Sequence, residues 1–401
     1  MQTVILAAGR GTRMRPLTDS IPKPMLPVGD RPLVAHVADA AITAGASELV
    51  FVIGYAGETI RSQFGDVYRD TPITYVEQEE QQGTADALRA ASPVLDEEAF
   101  AVLNGDMLVE PNELDPLYDS APALGITRVD NPTEYGVVDI DDNGMITGIV
   151  EKPSDPPSDL ANAGAYTFPA TALSHLDSVA QSSRGEFELT DVLAQVSQEE
   201  GVVPIRFDRW LDVGRPWELL AAMEWKLATL TTHIDGDVSE RSTVDDPVVI
   251  EEGARIREGV TLEGPIYVAS GAEIGPNAYV RGPAVVGEDA RIGHAVEVKQ
   301  SILFPGATIG HLSYVGDSIL GHDVNFGAGT NVANLRHDDQ PIHTTVKGER
   351  VSTERRKFGV VVGANVKTGI DTNLNAGIVL PSDSYTLPGE SILHQSDILT
   401  D

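Results

Sequence analysis

From Ile250 onward an aliphatic side chain recurs every six residues: Ile250, Ile256, Leu262, Val268, Ile274, Val280, Val286, Ile292 and Val298. The register slips by one before Ile309 and Val315, and again before Leu320, Phe326 and Val332. After an excursion it resumes at Val362, Thr368, Leu374 and Leu380. A helix repeats every 3.6 residues and a strand every two, so neither accounts for a hexad. The period predicts flat coils of three short strands, each turning one aliphatic inward. Residues 1–230 follow another grammar. Apolar runs at 3–7, 49–54, 73–77 and 99–103 read as buried strands, and 33–44, 60–68 and 84–91 as helices. This alternation predicts an α/β doubly wound, mostly parallel sheet, with ligands beyond the carboxyl ends of its strands. Asp142-Asn143-Gly144 between two alternating runs marks a hairpin, and 217–231 reads as a closing helix. Two domains are expected, 1–230 and 249–401, joined by a polar, turn-rich linker at 231–248.

Charge narrows the class. There are 61 acidic against 28 basic residues, a net charge of −33, and the acid is spread along the chain. Such a surface repels nucleic acid and anionic membranes, and suits a salt-adapted protein whose self-repulsion is screened. Only seven residues are lysine, against 21 arginines. No apolar run is long enough for a membrane span, and the absence of cysteine excludes disulfides and thiolate metal sites. A cytoplasmic enzyme is the expectation. Against this background the basic stretch 335–358 stands out. It is expected to meet an anionic ligand or a neighbouring subunit.

Candidate chemistry begins right after the first strand. Residues 6–12 are small and glycine-rich, and Arg13 and Lys23 follow ten residues apart. Small residues let backbone N–H groups approach an anion, and the cations can neutralise charge that builds up on a phosphate. Asp106 and Asp212 each follow a strand-like run, and two converging carboxylates suit a hard cation such as Mg²⁺. In the hexad half, His311 sits in His-Leu-Ser-Tyr-Val-Gly-Asp, followed by Asn-Phe-Gly-Ala-Gly-Thr from Asn325.

LAAGRGTRM, Pro22-Lys23-Pro24, Gln82-Gly83-Thr84-Ala85, Asn104-Gly105-Asp106, Val150-Glu151-Lys152-Pro153 and Trp210-Leu211-Asp212-Val213-Gly214 together resemble the sugar nucleotidyltransferase family. The hexads resemble the left-handed parallel β-helix of hexapeptide acyltransferases. The combination resembles the bifunctional N-acetylglucosamine-1-phosphate uridylyltransferase/glucosamine-1-phosphate acetyltransferase family in its archaeal form, over nearly the whole chain. The resemblance implies a homotrimer that uses acetyl-CoA, glucosamine-1-phosphate, N-acetylglucosamine-1-phosphate, UTP (or dTTP) and Mg²⁺. It assigns Leu6, Ala7, Ala8 and Gly9 to the nucleotide, and Gln78, Gly83 and Thr84 to the base. Gly136, Glu151, Lys152 and Asn162 go to the sugar phosphate, and Asp106 and Asp212 to the metal. In acetyl transfer it makes His311 the proton acceptor, imidazole being suited to that near neutral pH. Arg281 and Lys299 would grip the phosphate and Tyr314 and Asn325 the sugar, while Ala328 and Asn334 face the acetyl and pantetheine portions. Three features depart from the bacterial pattern: Asp212 in place of Asn, Leu335 in place of Tyr, and a shorter β-helix. A glucose-1-phosphate thymidylyl- or uridylyltransferase with a purely structural β-helix is the alternative.

Overall fold

The computed structural model describes residues 1–182 and 184–398. Two compact units emerge. The first comprises Met1–Arg10, Pro22–Met25 and Pro32–Asp212; the second comprises Gly11–Ile21, Leu26–Arg31 and Val213–Asp401. Among the described residues no helix is long and apolar enough to cross a membrane.

In the first unit the strands are β1 (Gln2–Leu6), β2 (Glu48–Ile53), β3 (Thr71–Glu77), β4 (Phe100–Asn104), β5 (Met107–Val109), β6 (Ala123–Arg128), β7 (Gly136–Ile140), β8 (Ile146–Glu151), β9 (Leu160–Phe168), β10 (Val203–Arg206) and β11 (Trp210–Asp212). The main sheet runs β8-β7-β9-β4-β1-β2-β3, and β6 lies against β9. β4, β1, β2 and β3 are parallel, while β9 enters antiparallel to β4. β1, β2 and β4 are almost wholly buried, as strands covered on both faces should be. The helices are α1 (Leu33–Thr43), α2 (Gly57–Phe64), α3 (Thr84–Ala91), α4 (Pro111–Tyr118) and α5 (Leu189–Glu199). The expected helix at 60–68 ends early. Gly65, at φ 62°, closes α2, and Val67–Tyr68 turns back as a short strand on β3. The Asp-Asn-Gly hairpin joins β7 to β8 as expected.

The second unit contains α6 (Pro216–Leu227) and three parallel ladders of two- and three-residue strands, the faces of a left-handed β-helix. The hexad aliphatics form one continuous buried cluster from Val248 to Ile392. The ladders already begin at His233–Ile234, Asp237–Val238 and Thr243–Asp245, inside the stretch expected as linker. That first coil is largely polar at the surface, so it carries little hydrophobic signal. At the far end Gln395 imitates a strand. Its side-chain carbonyl accepts from Val379 N and its amide donates to Val379 O, which occupies an edge that would otherwise invite pairing.

Both register slips have one structural cause. Arg281 pairs with Lys299, yet the next pairs are Val285 with Ile302 and Val286 with Leu303. Two corner residues, Gly282 and Pro283, face a single one, Gln300, at φ 45°. Asp317, at φ 52°, turns the same corner in the following coil. The excursion leaves from this corner too, just after Asn334.

Candidate active sites

At the carboxyl edge of the first unit, Leu6 pairs with Val52 on one side and Asn104 on the other. The chain then continues through Ala7 and Ala8, both buried, to exposed Gly9 and Arg10. Two glycines make room for it: a Cβ on Gly105 would sit 2.7 Å from Leu6 O, and one on Gly54 would sit 3.0 Å from Ala8 O. A Cβ on Gly9 would meet nothing within 4 Å, so the loop borders open space. Lys23, only 8 % exposed, donates from Nζ to Asp106 Oδ2 at 2.5 Å. β11 runs antiparallel to β5 and places Asp212 opposite Met107, one residue past Asp106. The two carboxylates therefore occupy neighbouring positions of one ribbon. That donor set fits Mg²⁺, which commonly takes one or two protein carboxylates and completes its shell with phosphate and water. Arg13 stands half-buried in the turn Thr12–Met14, part of the segment that clusters with the second unit.

Gln78, Gly83 and Thr84 form a tight loop. Gln78 is buried, and its amide donates to Gly83 O (3.1 Å) and Asp86 Oδ2 (2.7 Å). Both partners are acceptors, so the amide cannot flip and only Oε1 is left for a ligand. Gly83, at φ 122°, caps α3, and Thr84 Oγ1 accepts from Leu189 N at 2.9 Å. A Cβ on Gly83 would fall 2.4 Å from Phe187 O. Gly83→Ala is accordingly expected to cost about 2–4 kcal/mol from strain and overpacking. Thermal unfolding and a raised KM for the nucleotide would register it.

Gly136, Glu151 and Asn162 also converge. Gly136 and Glu151 are register partners, and a Cβ on Gly136 would sit 2.9 Å from Glu151 Oε2 and 3.5 Å from Asn162 Cβ. Burial pushes the Glu151 carboxyl above its ordinary pKa, and the Arg184 cation at 3.2 Å opposes the shift. Asn162 donates to the Tyr166 hydroxyl (2.6 Å) and accepts from Gly164 N (2.9 Å). Lys152, next in the chain, adopts φ 45°. Arg184 was not singled out from the sequence. It faces Glu151, Glu186 and Glu188 at once. The only signal was local, an arginine two and four residues ahead of two glutamates.

In the β-helix, Arg281 and Lys299 stack in register on successive coils, and Lys299 stands opposite Gly316 on the next. Each cation meets a carboxylate of its own chain: Arg281 with Glu297, and Lys299 with Asp317 at 3.0 Å. Asn334 donates from Nδ2 to the Tyr314 hydroxyl (3.1 Å) and to Asp317 Oδ2 (2.5 Å). Burial raises the Tyr314 pKa. His311, Asn325 and Ala328 take other positions. His311 lies exposed in a column of corners where each coil's N–H binds the preceding coil: Leu312 N to His294 O, Gly329 N to His311 O, and Asp371 N to Ala328 O. Asn325 is exposed on a neighbouring face, where it pairs with Thr308.

The basic stretch 335–358 is an ordered excursion built on a hairpin, His343–Val346 with Glu349–Ser352. Its arginines are largely engaged: Arg336 with Asp338, Arg356 with Asp339, and Arg355 with Glu224 on α6. Trp217 of α6 meets Phe358 edge-on, ring centroids 6.3 Å apart. Intrachain carboxylates thus hold the guanidiniums of Arg355 and Arg356, and Arg355 braces α6.

A doubly wound sheet with these carboxyl-edge groups, followed by a hexad β-helix, is the plan of a nucleotidyltransferase joined to a hexapeptide-repeat domain. The nucleotidyl transferase family model matches residues 2–228, and that of the GMPPB C-terminal domain matches 262–387. The bifunctional protein GlmU of Methanocaldococcus jannaschii is 39 % identical over 400 residues, 99 % of this chain and 96 % of its own. A bifunctional sugar-1-phosphate nucleotidylyltransferase/acetyltransferase of Sulfurisphaera tokodaii is 35 % identical, over 97 % of this chain and 96 % of its own. Among solved structures, a UDP-glucose pyrophosphorylase complexed with UDP-glucose matches with TM-score 0.53 and 25 % identity, over 57 % of this chain and 98 % of that one. The chain belongs to the nucleotidyl transferase family, as a member of its archaeal GlmU-type bifunctional branch.

Proposed function

We propose that the chain makes a nucleotide-activated amino sugar in two steps. In the β-helix the amine of glucosamine-1-phosphate attacks the thioester carbonyl of acetyl-CoA. His311 accepts the amine proton, and coenzyme A leaves as the thiol. In the first unit a phosphate oxygen of N-acetylglucosamine-1-phosphate attacks the α-phosphorus of UTP, and pyrophosphate leaves. Lys23 offsets phosphate charge, and the 6–9 loop seats the nucleotide. Glu151 and Asn162 hold sugar hydroxyls, and Lys152 meets the sugar phosphate. Asp106 and Asp212 would hold Mg²⁺, which when bound supplies charge neutralisation.

One observation carries this reading. A chain matched end to end by two-activity relatives also assembles two separate polar constellations, Lys23–Asp106 and Lys299–Asp317–Asn334–Tyr314. Exposed Leu312, Ile370, Leu387 and Leu393 on the β-helix support association of copies, and we propose a homotrimer working in the cytoplasm. Purified protein at high salt with glucosamine-1-phosphate, acetyl-CoA, UTP and Mg²⁺ should yield the UDP-N-acetylamino sugar, pyrophosphate and free coenzyme A. EDTA should stop uridylyl transfer and spare acetyl transfer. Turnover of glucose-1-phosphate with dTTP or UTP, and none of acetyl-CoA, would instead favour a nucleotidyltransferase with a structural β-helix. A relative supports that second reading: the UTP–glucose-1-phosphate uridylyltransferase AglF of Haloferax volcanii is 38 % identical over 225 residues, 92 % of its length.

A further inference from the structure

We propose that Asp317 is the positioning residue of the acetyl-transfer site, fixing which of its groups donate hydrogen bonds and which accept; this rests on the reading of that site given above. Asp317 is 2 % exposed, held by its own N–H on Lys299 O (2.8 Å) and by its C=O on Gly359 N (2.8 Å). It turns the shortened corner at φ 52°. Its Oδ2 receives both Lys299 Nζ (3.0 Å) and Asn334 Nδ2 (2.5 Å). Gly316 leaves room for the cluster, since a Cβ there would fall 2.5 Å from the Tyr314 hydroxyl and 2.6 Å from Asn334 Nδ2.

A carboxylate offers acceptors only. Asn334 must therefore turn its NH₂ inward, which frees its carbonyl oxygen for other partners. The same NH₂ donates to Tyr314, so the phenol accepts there and its proton is free to be given elsewhere. Lys299 spends one of three protons on Asp317. One buried carboxylate thus commits Lys299 and Tyr314 as donors and Asn334 as an acceptor. Donors match the phosphate and hydroxyl oxygens of a sugar phosphate. An acceptor matches an amine or amide N–H.

Asp317→Asn preserves size but inverts this logic. The new amide can donate inward, Asn334 can then present its carbonyl to it, and Tyr314 must donate to Asn334. Free coenzyme A is measurable with a thiol reagent without background, because the chain has no cysteine. Acetyl transfer to glucosamine-1-phosphate in D317N should show kcat/KM lowered about 30- to 100-fold, the scale of a lost charge-assisted hydrogen bond. Uridylyl transfer to supplied N-acetylglucosamine-1-phosphate should be unchanged. Because both residues act through one contact, D317N/N334A should lie within about threefold of the worse single variant. A merely structural Asp317 would instead lower thermal stability and both activities, and its effect would multiply with that of N334A. D317N within threefold of the parent, or multiplicative effects, overturns the proposal. A parent that uridylylates but never consumes acetyl-CoA overturns the site reading itself, and the proposal with it. If D317N yields no folded protein, Asn334→Asp removes the amide donor from the other side. The same 30- to 100-fold loss is expected, and retention within threefold overturns the proposal.

Discussion

Replacing Lys23 by methionine is expected to lower kcat for uridylyl transfer about 10³-fold, the scale seen when a preorganised charge-stabilising donor is removed. Acetyl transfer should remain. The lysine is 8 % exposed, and its ammonium rests on Asp106 at 2.5 Å. In a chain of net charge −33, a cation held at the carboxyl edge of the sheet does two things. It offsets the carboxylate while no substrate is bound, and it is in place when negative charge grows on the phosphates. Methionine keeps the apolar stem and removes only the charge, so the fold should survive. The loss should fall on kcat more than on the KM for UTP, because charge is needed most in the transition state. Steady-state pyrophosphate release, with coenzyme A release from the same preparation as control, decides it. A variant within tenfold of the parent, or one that loses both activities together, would refute the assignment.

Much of the fold was legible because burial is periodic. Nine consecutive hexad positions, Ile250 to Val298, all lie in the β-helix core. The strands at 49–53 and 100–104 are apolar runs with no exposed face to blur them. What escaped was either short or polar. The first coil, from His233, has few aliphatics to announce it. The end of α2 at Gly65 depends on a backbone angle rather than on hydrophobicity.

The sites were legible where a motif is local and illegible where long-range pairing makes them. That Lys23 meets Asp106, 83 residues on, or that Asp212 stands across a ribbon from Met107, follows from topology. Arg184 had no motif to mark it, and its partner Glu151 lies 33 residues back. The basic excursion is balanced in part by its own Asp338 and Asp339, and in part by Glu224, which only the fold brings near. The slips in the hexad share one place in the fold. Both fall at the corner where Lys299 and Asp317 face each other, and the excursion starts there as well.

His311→Ala is expected to reduce acetyl transfer by two to four orders of magnitude, roughly the contribution of a positioned general base, and His294→Ala should leave it within about threefold. The two histidines occupy equivalent corners of successive coils, so sequence context alone does not separate them. Their surroundings do. His294 Nδ1 lies 3.2 Å from Pro276 O and 3.5 Å from Asn277 Nδ2, so the ring is tied to groups of the preceding coil. His322, at a different corner of the coil, stacks edge-on against Phe304 at 5.3 Å, and burial lowers its pKa. The His311 ring is exposed and, among the described residues, has no hydrogen-bonding partner. It is followed by Leu312, at φ 62° and 63 % exposed, where neighbouring coils use Ala295 and Gly329. A bulky residue in the left-handed region is costly, and an exposed apolar one gains nothing from water. Equal loss in the two variants would mean that the corner is structural. Full activity in His311→Ala would assign the proton to another acceptor. With uridylyl transfer as the internal control, these outcomes separate a working acetyltransferase from a β-helix that serves only to assemble the chain.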